Sequence, residues 1–175
     1  MIGPYSVEPA RFRPYDPHAA QVAATVADAV RVVDPRLAVE HVGSTAVPGC
    51  AGKGVVDLAV LYPADGLASA VTLLDDLGFQ PQPGSDPFPE SRPMRVGSLM
   101  VAGRRYRIHA HVLAAGCAEQ RELIAFREAL RLRPDLCRAY EARKQAILAS
   151  GVTDSAQYAR EKGAFVCEAL EGAGA

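Results

Sequence analysis

No stretch of this sequence stays apolar for the roughly 20 residues that a membrane-spanning helix needs, so no such helix is expected. The first residues lack a basic segment followed by an apolar run, and no signal peptide is expected either. An excess of one charge is also missing. The chain has 19 Lys and Arg against 20 Asp and Glu, a net charge of −1, so no global field draws nucleic acid or an anionic membrane. Neither is an expected partner. The four cysteines, Cys50, Cys117, Cys137 and Cys167, lie far apart and form no C-x-x-C pair. Zinc and a disulfide framework are therefore not expected, and a reduced, cytoplasmic location is. Walker-type Gly-Lys-Ser/Thr is absent, as is a G-x-G-x-x-G opening a helix, and there are no internal repeats.

With 175 residues, 49% of them hydrophobic and 22% charged, the chain reads as one globular domain large enough to bury a core. Within it, residues 1–15 form an extended lead-in, 116–170 are helical, and Gly172 to Ala175 read as a loose tail.

The informative stretch is 39–61, two apolar strands around a loop with four glycines. Gly43, Ser44 and Thr45 follow the first strand at once. Glycine lets a ligand approach the backbone, and successive free N–H groups suit an anion such as phosphate. Lys53 adds positive charge. The second strand, Val55–Leu61, carries a carboxylate, Asp57, in an apolar run, which is costly unless something pairs with it. Asp57 is thus open between a site role, as metal ligand or general base, and a buried pair with Lys53 or a histidine. His41 is open between bracing the turn and touching ligand. Glu40, of opposite parity, reads as plain surface.

Asp16 then Pro17 predicts a helix start, with Val22, Val26, Ala29, Val30 and Val33 as its apolar face and Pro35 as its end. Residues 37–42 read as a strand, 66–77 as a helix closed by Gly78, and 79–82 as a short strand. Five prolines in 81–93 exclude regular structure there. Strands at 94–101 and 104–113 form a hairpin about Gly103. In the second strand Arg105, Arg107, His109 and His111 share one face and Tyr106, Ile108, Ala110 and Val112 the other. Helices follow over 119–131 and from Pro134 to about Ala149. Asp154 and Gln157 predict a capping box for a last helix through Leu170. Tyr140 with Lys144, and Tyr158 with Lys162, are i, i+4 pairs, so each pair shares a helix face. Those faces either turn to the sheet, as a second wall of a cleft, or lie in solvent. The whole predicts an α/β (α+β) fold, a sheet followed by a C-terminal helical segment.

His41-Val-Gly-Ser-Thr-Ala-Val-Pro-Gly, Ala51-Gly-Lys and Val55-Val-Asp-Leu together resemble the GrpB family. Ile108-His-Ala-His-Val, Phe126-Arg-Glu-Ala-Leu-Arg, Tyr140-Glu-Ala-Arg-Lys, and Tyr158 with Lys162 and Phe165 continue the resemblance in the same order over roughly residues 12–170. The chain departs from the family pattern in lacking a tryptophan after Tyr15-Asp-Pro and in having Gly54 after Lys53.

The resemblance implies a nucleotidyltransferase-like mixed sheet flanked by helices. In that fold Gly-Ser at a strand end holds nucleotide phosphates, and Asp-x-Asp/Glu on the next strand holds divalent metals. Gly43-Ser44 and Asp57 match, but Ala59 stands where the second carboxylate belongs, and the strand expected to carry a third offers His109 and His111. The resemblance thus implies phosphate binding by Gly43 and Ser44 and a metal or base role for Asp57. By their own chemistry Thr45, Lys53, Arg105, Arg107, Lys144 and Lys162 are candidate phosphate or nucleotide contacts, the arginines otherwise a solvated edge strand. His109 and His111 are candidate catalytic groups or else a polar sheet face under the C-terminal helices. Asp57 and His111 are the candidate ligands of a divalent metal, Mg²⁺ or Mn²⁺, with Zn²⁺ suited to the imidazoles. Nucleotidyl or phosphoryl transfer to a small molecule is the expected chemistry, and a homodimer is compatible with it. A binding module that has lost the chemistry, and metal-independent transfer with a histidine as base, are the alternatives.

Overall fold

Alternation along the strands builds this fold. The computed structural model describes residues 1–9, 11–84, 87–152 and 155–171. Its strands are β1 (Ala38–Val42), β2 (Val55–Tyr62), β3 (Gln80–Pro81), β4 (Met94–Val101) and β5 (Arg104–Ala114). Its helices are α1 (His18–Val33), α2 (Leu67–Asp76), α3 (Ala118–Leu132), α4 (Pro134–Ala149) and α5 (Ser155–Glu171). The sheet is mixed, ordered β1-β2-β5-β4-β3, with β2 and β5 parallel and the other pairs antiparallel.

Val56, Leu58 and Val60 of β2 point to one face with Tyr106, Ile108, Ala110 and Val112 of β5. There they pack against Val22, Val26 and Val30 of α1 and Leu73 and Leu74 of α2, forming the main core. The opposite face carries Asp57, Ala59, His109 and His111, because register pairs Asp57 with His109 and Ala59 with His111. Toward that side, α3, α4 and α5 build a second cluster around Phe126, Leu130, Leu136 and Tyr140, into which Val47 and Cys50 of the β1–β2 loop insert.

Local chemistry explains the element ends. Helix α1 begins one residue past the expected Pro17, which takes the cap position, yet the Asp16 carboxylate still accepts the His18 N–H at 3.0 Å. Val33, expected on the buried face of α1, is 59% exposed, and the buried face ends at Val30. Helix α2 ends in a Schellman motif: Phe79 N–H bonds Leu74 O, Gly78 N–H bonds Asp75 O, and Gly78 sits at φ +100°. The β4–β5 turn places Ala102 and Gly103 both at positive φ, as a type I′ hairpin requires. Asp154 and the tail from Gly172 lie outside the described residues.

The lead-in adopts a definite course. Gly3 pairs with Ser98 of β4 through N–H···O bonds of 2.8 and 2.9 Å, and Arg13 pairs with Gly52 through bonds of 2.7 and 3.0 Å. The described residues 3–9 and 11–13 therefore strap the open face of the sheet, from β4 at one end to the β1–β2 loop at the other.

Candidate functional site

The β1–β2 loop is shaped by what its glycines must clear. Gly43 has φ +70°, and a Cβ built on it would stand 2.7 Å from Asp57 Oδ2. The carboxylate thus packs directly on the loop backbone, and any side chain at position 43 would displace it. A Cβ on Gly52 would stand 2.5 Å from Ser44 Oγ and 3.2 Å from Lys144 Nζ. Between these glycines the chain makes one 3-10 turn, Ser44–Ala46. Thr45 ties the loop to β2 by donating its hydroxyl proton to Val55 O at 3.1 Å. That leaves Thr45 Oγ1 as the acceptor from His41 Nε2 at 3.1 Å, which places the His41 ring proton on Nε2. Burial drives the His41 pKa down to about 4, helped by Arg131 and Arg127 and opposed by Asp57. His41 is a neutral brace.

Asp57 is 31% exposed at its side chain and faces His109, whose Nδ1 is 3.5 Å from Oδ1. Burial works against the charge on Asp57. The His109 hydrogen bond and the charges of His109, His111 and Lys162 outweigh it and hold the carboxyl well below the usual range. Tyr5, on the strap, reaches His109 Nε2 at 2.8 Å. Asp57, when ionised, can only accept, so His109 turns Nδ1 to it as donor, and the Tyr5 hydroxyl meets the other ring nitrogen, Nε2. Phenol, imidazole and carboxylate stand in line. His111 lies one pleat further along and meets the edge of Phe88 at 5.4 Å. Arg92 stacks 4.6 Å over Phe88 and forms an ion pair with Glu119, so the proline-rich segment covers His111.

The C-terminal helices turn their Tyr and Lys residues inward. Tyr158 is 1% exposed, and Lys53 Nζ lies 4.5 Å from its ring centroid. Burial and the neighbouring Lys162 charge lower the Lys53 pKa to about 8. Lys162 is raised instead by Tyr140, to which it hydrogen-bonds, against the effect of burial and with help from Asp57. Lysines from the loop and from α5 thus share one electrostatic environment with Asp57. Clamps from α3 steady the loop: Arg127 donates to Glu40 at 2.9 Å and to His41 O at 2.8 Å, and Arg131 donates to Ala46 O at 2.7 Å.

Comparison with known proteins places this arrangement in a family. The family described as GrpB protein matches residues 9–172. The chain belongs to the GrpB family. It is 33% identical over 163 residues to the UPF0157 protein PA4798 of Pseudomonas aeruginosa, covering 90% of this chain and 64% of that protein. It is also 33% identical over 140 residues to the UPF0157 protein SCO7215 of Streptomyces coelicolor, covering 78% of this chain and 69% of that one. The chain therefore spans about two thirds of the length of these relatives. Among solved structures, conserved protein GrpB from Enterococcus faecalis superposes with a TM-score of 0.70 at 20% identity, covering 94% of this chain and 100% of that one. The two share the mixed α+β fold.

In this GrpB chain the expected residues divide into groups. Gly43, Ser44, Thr45, Lys53, Asp57, His109 and Lys162 gather around the loop. Arg107 is buried on the same face, with a carboxylate already beside it, since Glu8 of the strap lies 3.8 Å away. Arg105 is exposed near the β4–β5 turn, beyond the end of β2, so it is set apart from Asp57. Lys144 is 2% exposed beneath the loop and donates to Ala51 O. One reading is corrected. Glu40 is no plain surface residue, because it anchors Arg127. Arg127 in turn braces β1 by donating to His41 O. Tyr5, Glu8, Phe88 and Arg131 were not foreseen. A single tyrosine or arginine outside any periodic element carries no signal of what it will meet, except that Arg131 is one helical turn past Arg127.

Proposed function

We propose that the Gly43–Thr45 loop, Asp57, Lys53 and Lys162 form a binding site for a phosphate-bearing small molecule, with a nucleotide as the leading class. The observation that carries this reading is the packing of the Asp57 carboxylate against Gly43, where a Cβ would stand 2.7 Å from Oδ2. An ionised carboxylate placed on a glycine backbone, beside the half-buried Lys53 and Lys162, brings an acceptor for a cation next to donors for an anion. Ser44 and the loop N–H groups offer donors to phosphate oxygens, and Lys53 and Lys162 offset its charge. Proximity to Asp57 and His109 would place a substrate hydroxyl where its proton could pass to the carboxylate–imidazole pair.

Asp57, His109 and His111 do not form a converged ligand cluster, so a divalent cation here would rest on Asp57 together with oxygens of the bound phosphate. His109 and His111 share the Asp57 face, and an imidazole added to this set would favour Mn²⁺ or Zn²⁺ over Mg²⁺. Such a cation, when bound, would neutralise charge on the phosphate oxygens. A specific observation favours a second reading, a binding module without transfer chemistry. Ala59, where a second carboxylate would stand, is 0% exposed in an apolar cluster with Val42, Leu61 and Leu113. A carboxylate there would have to displace this apolar packing, with His111 opposite it on β5 as its neighbour.

Thermal-shift titration tests the site. Nucleoside triphosphates, with and without Mn²⁺ or Mg²⁺, are expected to raise the Tm of the wild type. Occupancy at a hundredfold over Kd gives about 2.7 kcal/mol, or roughly 5–10 °C for a chain of this size. Asp57→Ala is expected to fold and to lose the metal-dependent part of the shift. A shift that survives in Asp57→Ala would remove Asp57 from the site, and no shift with any nucleotide would overturn nucleotide binding. Turnover of a bound triphosphate would decide for transfer chemistry over the second reading.

A further inference from the structure

Among the described residues, one group of three metal-ligating side chains converges, and it lies outside the Asp57 site. Cys50, Cys137 and Glu141 place their ligand atoms within 4.8 Å of one another. Cys137 and Glu141 are i, i+4 on α4 and so share a face, a spacing by which helices commonly present two ligands to one ion. Cys50 comes from the β1–β2 loop, buried in the cluster that also holds Cys137. We propose that these three side chains bind a thiophilic divalent cation of the zinc class, joining the β1–β2 loop to α4.

The chemistry of the donors selects the cation. Two thiolates and a carboxylate suit a borderline-soft ion such as Zn²⁺ and reject Mg²⁺ and Ca²⁺, which take oxygen ligands. Tetrahedral Zn²⁺ with bonds of about 2.0–2.3 Å sets its ligands roughly 3.5–3.8 Å apart, so closure needs shifts of about 1 Å or less per side chain. Three protein ligands leave the fourth position to water or another small ligand.

The surroundings supply what such a site needs. Ala51 N–H donates to Glu141 Oε1 and orients the carboxylate, leaving its other oxygen for the ion. Lys144 Nζ lies 3.9 Å from Cys50 Sγ, donates to Ala51 O, and stands 4.2 Å from the Tyr140 ring centroid. Charge then balances. Two thiolates and one carboxylate with a divalent cation leave one negative charge, and the Lys144 ammonium cancels it. This gives the buried Lys144 and the half-buried Glu141, both on α4, a common role. A fixed Ala51 also fixes Gly52, whose Cα faces Ser44 Oγ, so an ion here would stiffen the loop. The proposal stands whether or not that loop binds phosphate.

Cobalt substitution tests it. Reduced wild-type protein, kept anaerobic, is titrated with Co²⁺ and read by absorption. One equivalent is expected to give intense tetrahedral d–d bands and a near-ultraviolet thiolate-to-cobalt charge-transfer band, both abolished when Zn²⁺ displaces the cobalt. Cys50→Ser and Cys137→Ser should each lose about half of the charge-transfer intensity and the double variant all of it. Glu141→Gln should keep the band and bind more weakly. Circular dichroism checks that the variants fold. A second measurement needs no variant: saturating Zn²⁺ should slow modification of two of the four thiols by a thiol reagent. The proposal is overturned if fully reduced wild type shows no charge-transfer band, if the band persists in the double variant, or if Zn²⁺ protects no thiol.

Discussion

The two faces of the sheet come from the same strands and have opposite characters. On one, Val56, Leu58, Val60, Ile108 and Val112 meet α1 and α2 in a continuous apolar core. On the other, the alternate residues of the same strands place Asp57 beside His109, with Tyr5 and Glu8 laid over them by the strap. The first face is held by burial, which is non-directional and scales with area. The second adds hydrogen bonds and ion pairs, each of which needs its own partner, to the apolar packing of Ala59, Leu61 and Leu113. The difference teaches where substitutions should act. The apolar face should govern stability with little effect on ligands, and the polar face the reverse.

The largest effect is expected from the core. Leu58→Ala, at a side chain with 0% exposure, should lower unfolding free energy by about 2–5 kcal/mol in urea titrations while the folded fraction keeps its ligand response. Asp57→Ala, one residue away, should cost less, about 1–2 kcal/mol, because it removes a charge-assisted contact with His109 at a partly exposed side chain. Equal losses in the two variants would break the comparison.

Next is a pH effect. His41 titrates at about 4 in the folded protein against about 6.5 unfolded, so between these values the unfolded chain binds more protons. Stability should therefore fall as pH drops from 6.5 to 4, by on the order of 2–3 kcal/mol after allowance for partial solvent screening. His41→Gln, which keeps a donor for Thr45 and cannot titrate, should flatten this slope in urea titrations at stepped pH. An unchanged slope would assign it to other groups.

The smallest effect is expected from the strap. Tyr5→Phe removes one hydrogen bond, at 2.8 Å, and should cost about 1 kcal/mol. It also frees His109 Nε2. Affinity for Mn²⁺ or Zn²⁺ at the Asp57 site should therefore stay equal or rise, as read by calorimetry. A fall would make Tyr5 part of the binding surface.

Much of this was legible beforehand because it is local. Alternation in β5 separates Ile108 from His109 without reference to any partner, and the spacing of Tyr140 with Lys144 and of Tyr158 with Lys162 puts each pair on one helix face. That those faces turn inward was not legible, since helical periodicity is the same for a buried tyrosine and a solvated one. The Cys50–Cys137 approach was hidden for a related reason. The two lie 87 positions apart in the numbering, and spacing rules for metal ligands read only short intervals. Ala59 shows the converse. Its presence was plain, and only the structure shows that it packs among Val42, Leu61 and Leu113.

The sequence by itself determined the strands and helices, the two faces of each, the loop glycines and the family, because propensity, periodicity and motif are properties of neighbouring residues. The tertiary structure alone decided which side chains meet: Tyr5 on His109, Arg127 on Glu40, Lys53 on Tyr158 and Cys50 near Cys137. Those contacts depend on how separate elements pack in space, and that packing is set by the whole chain burying its apolar surface at once.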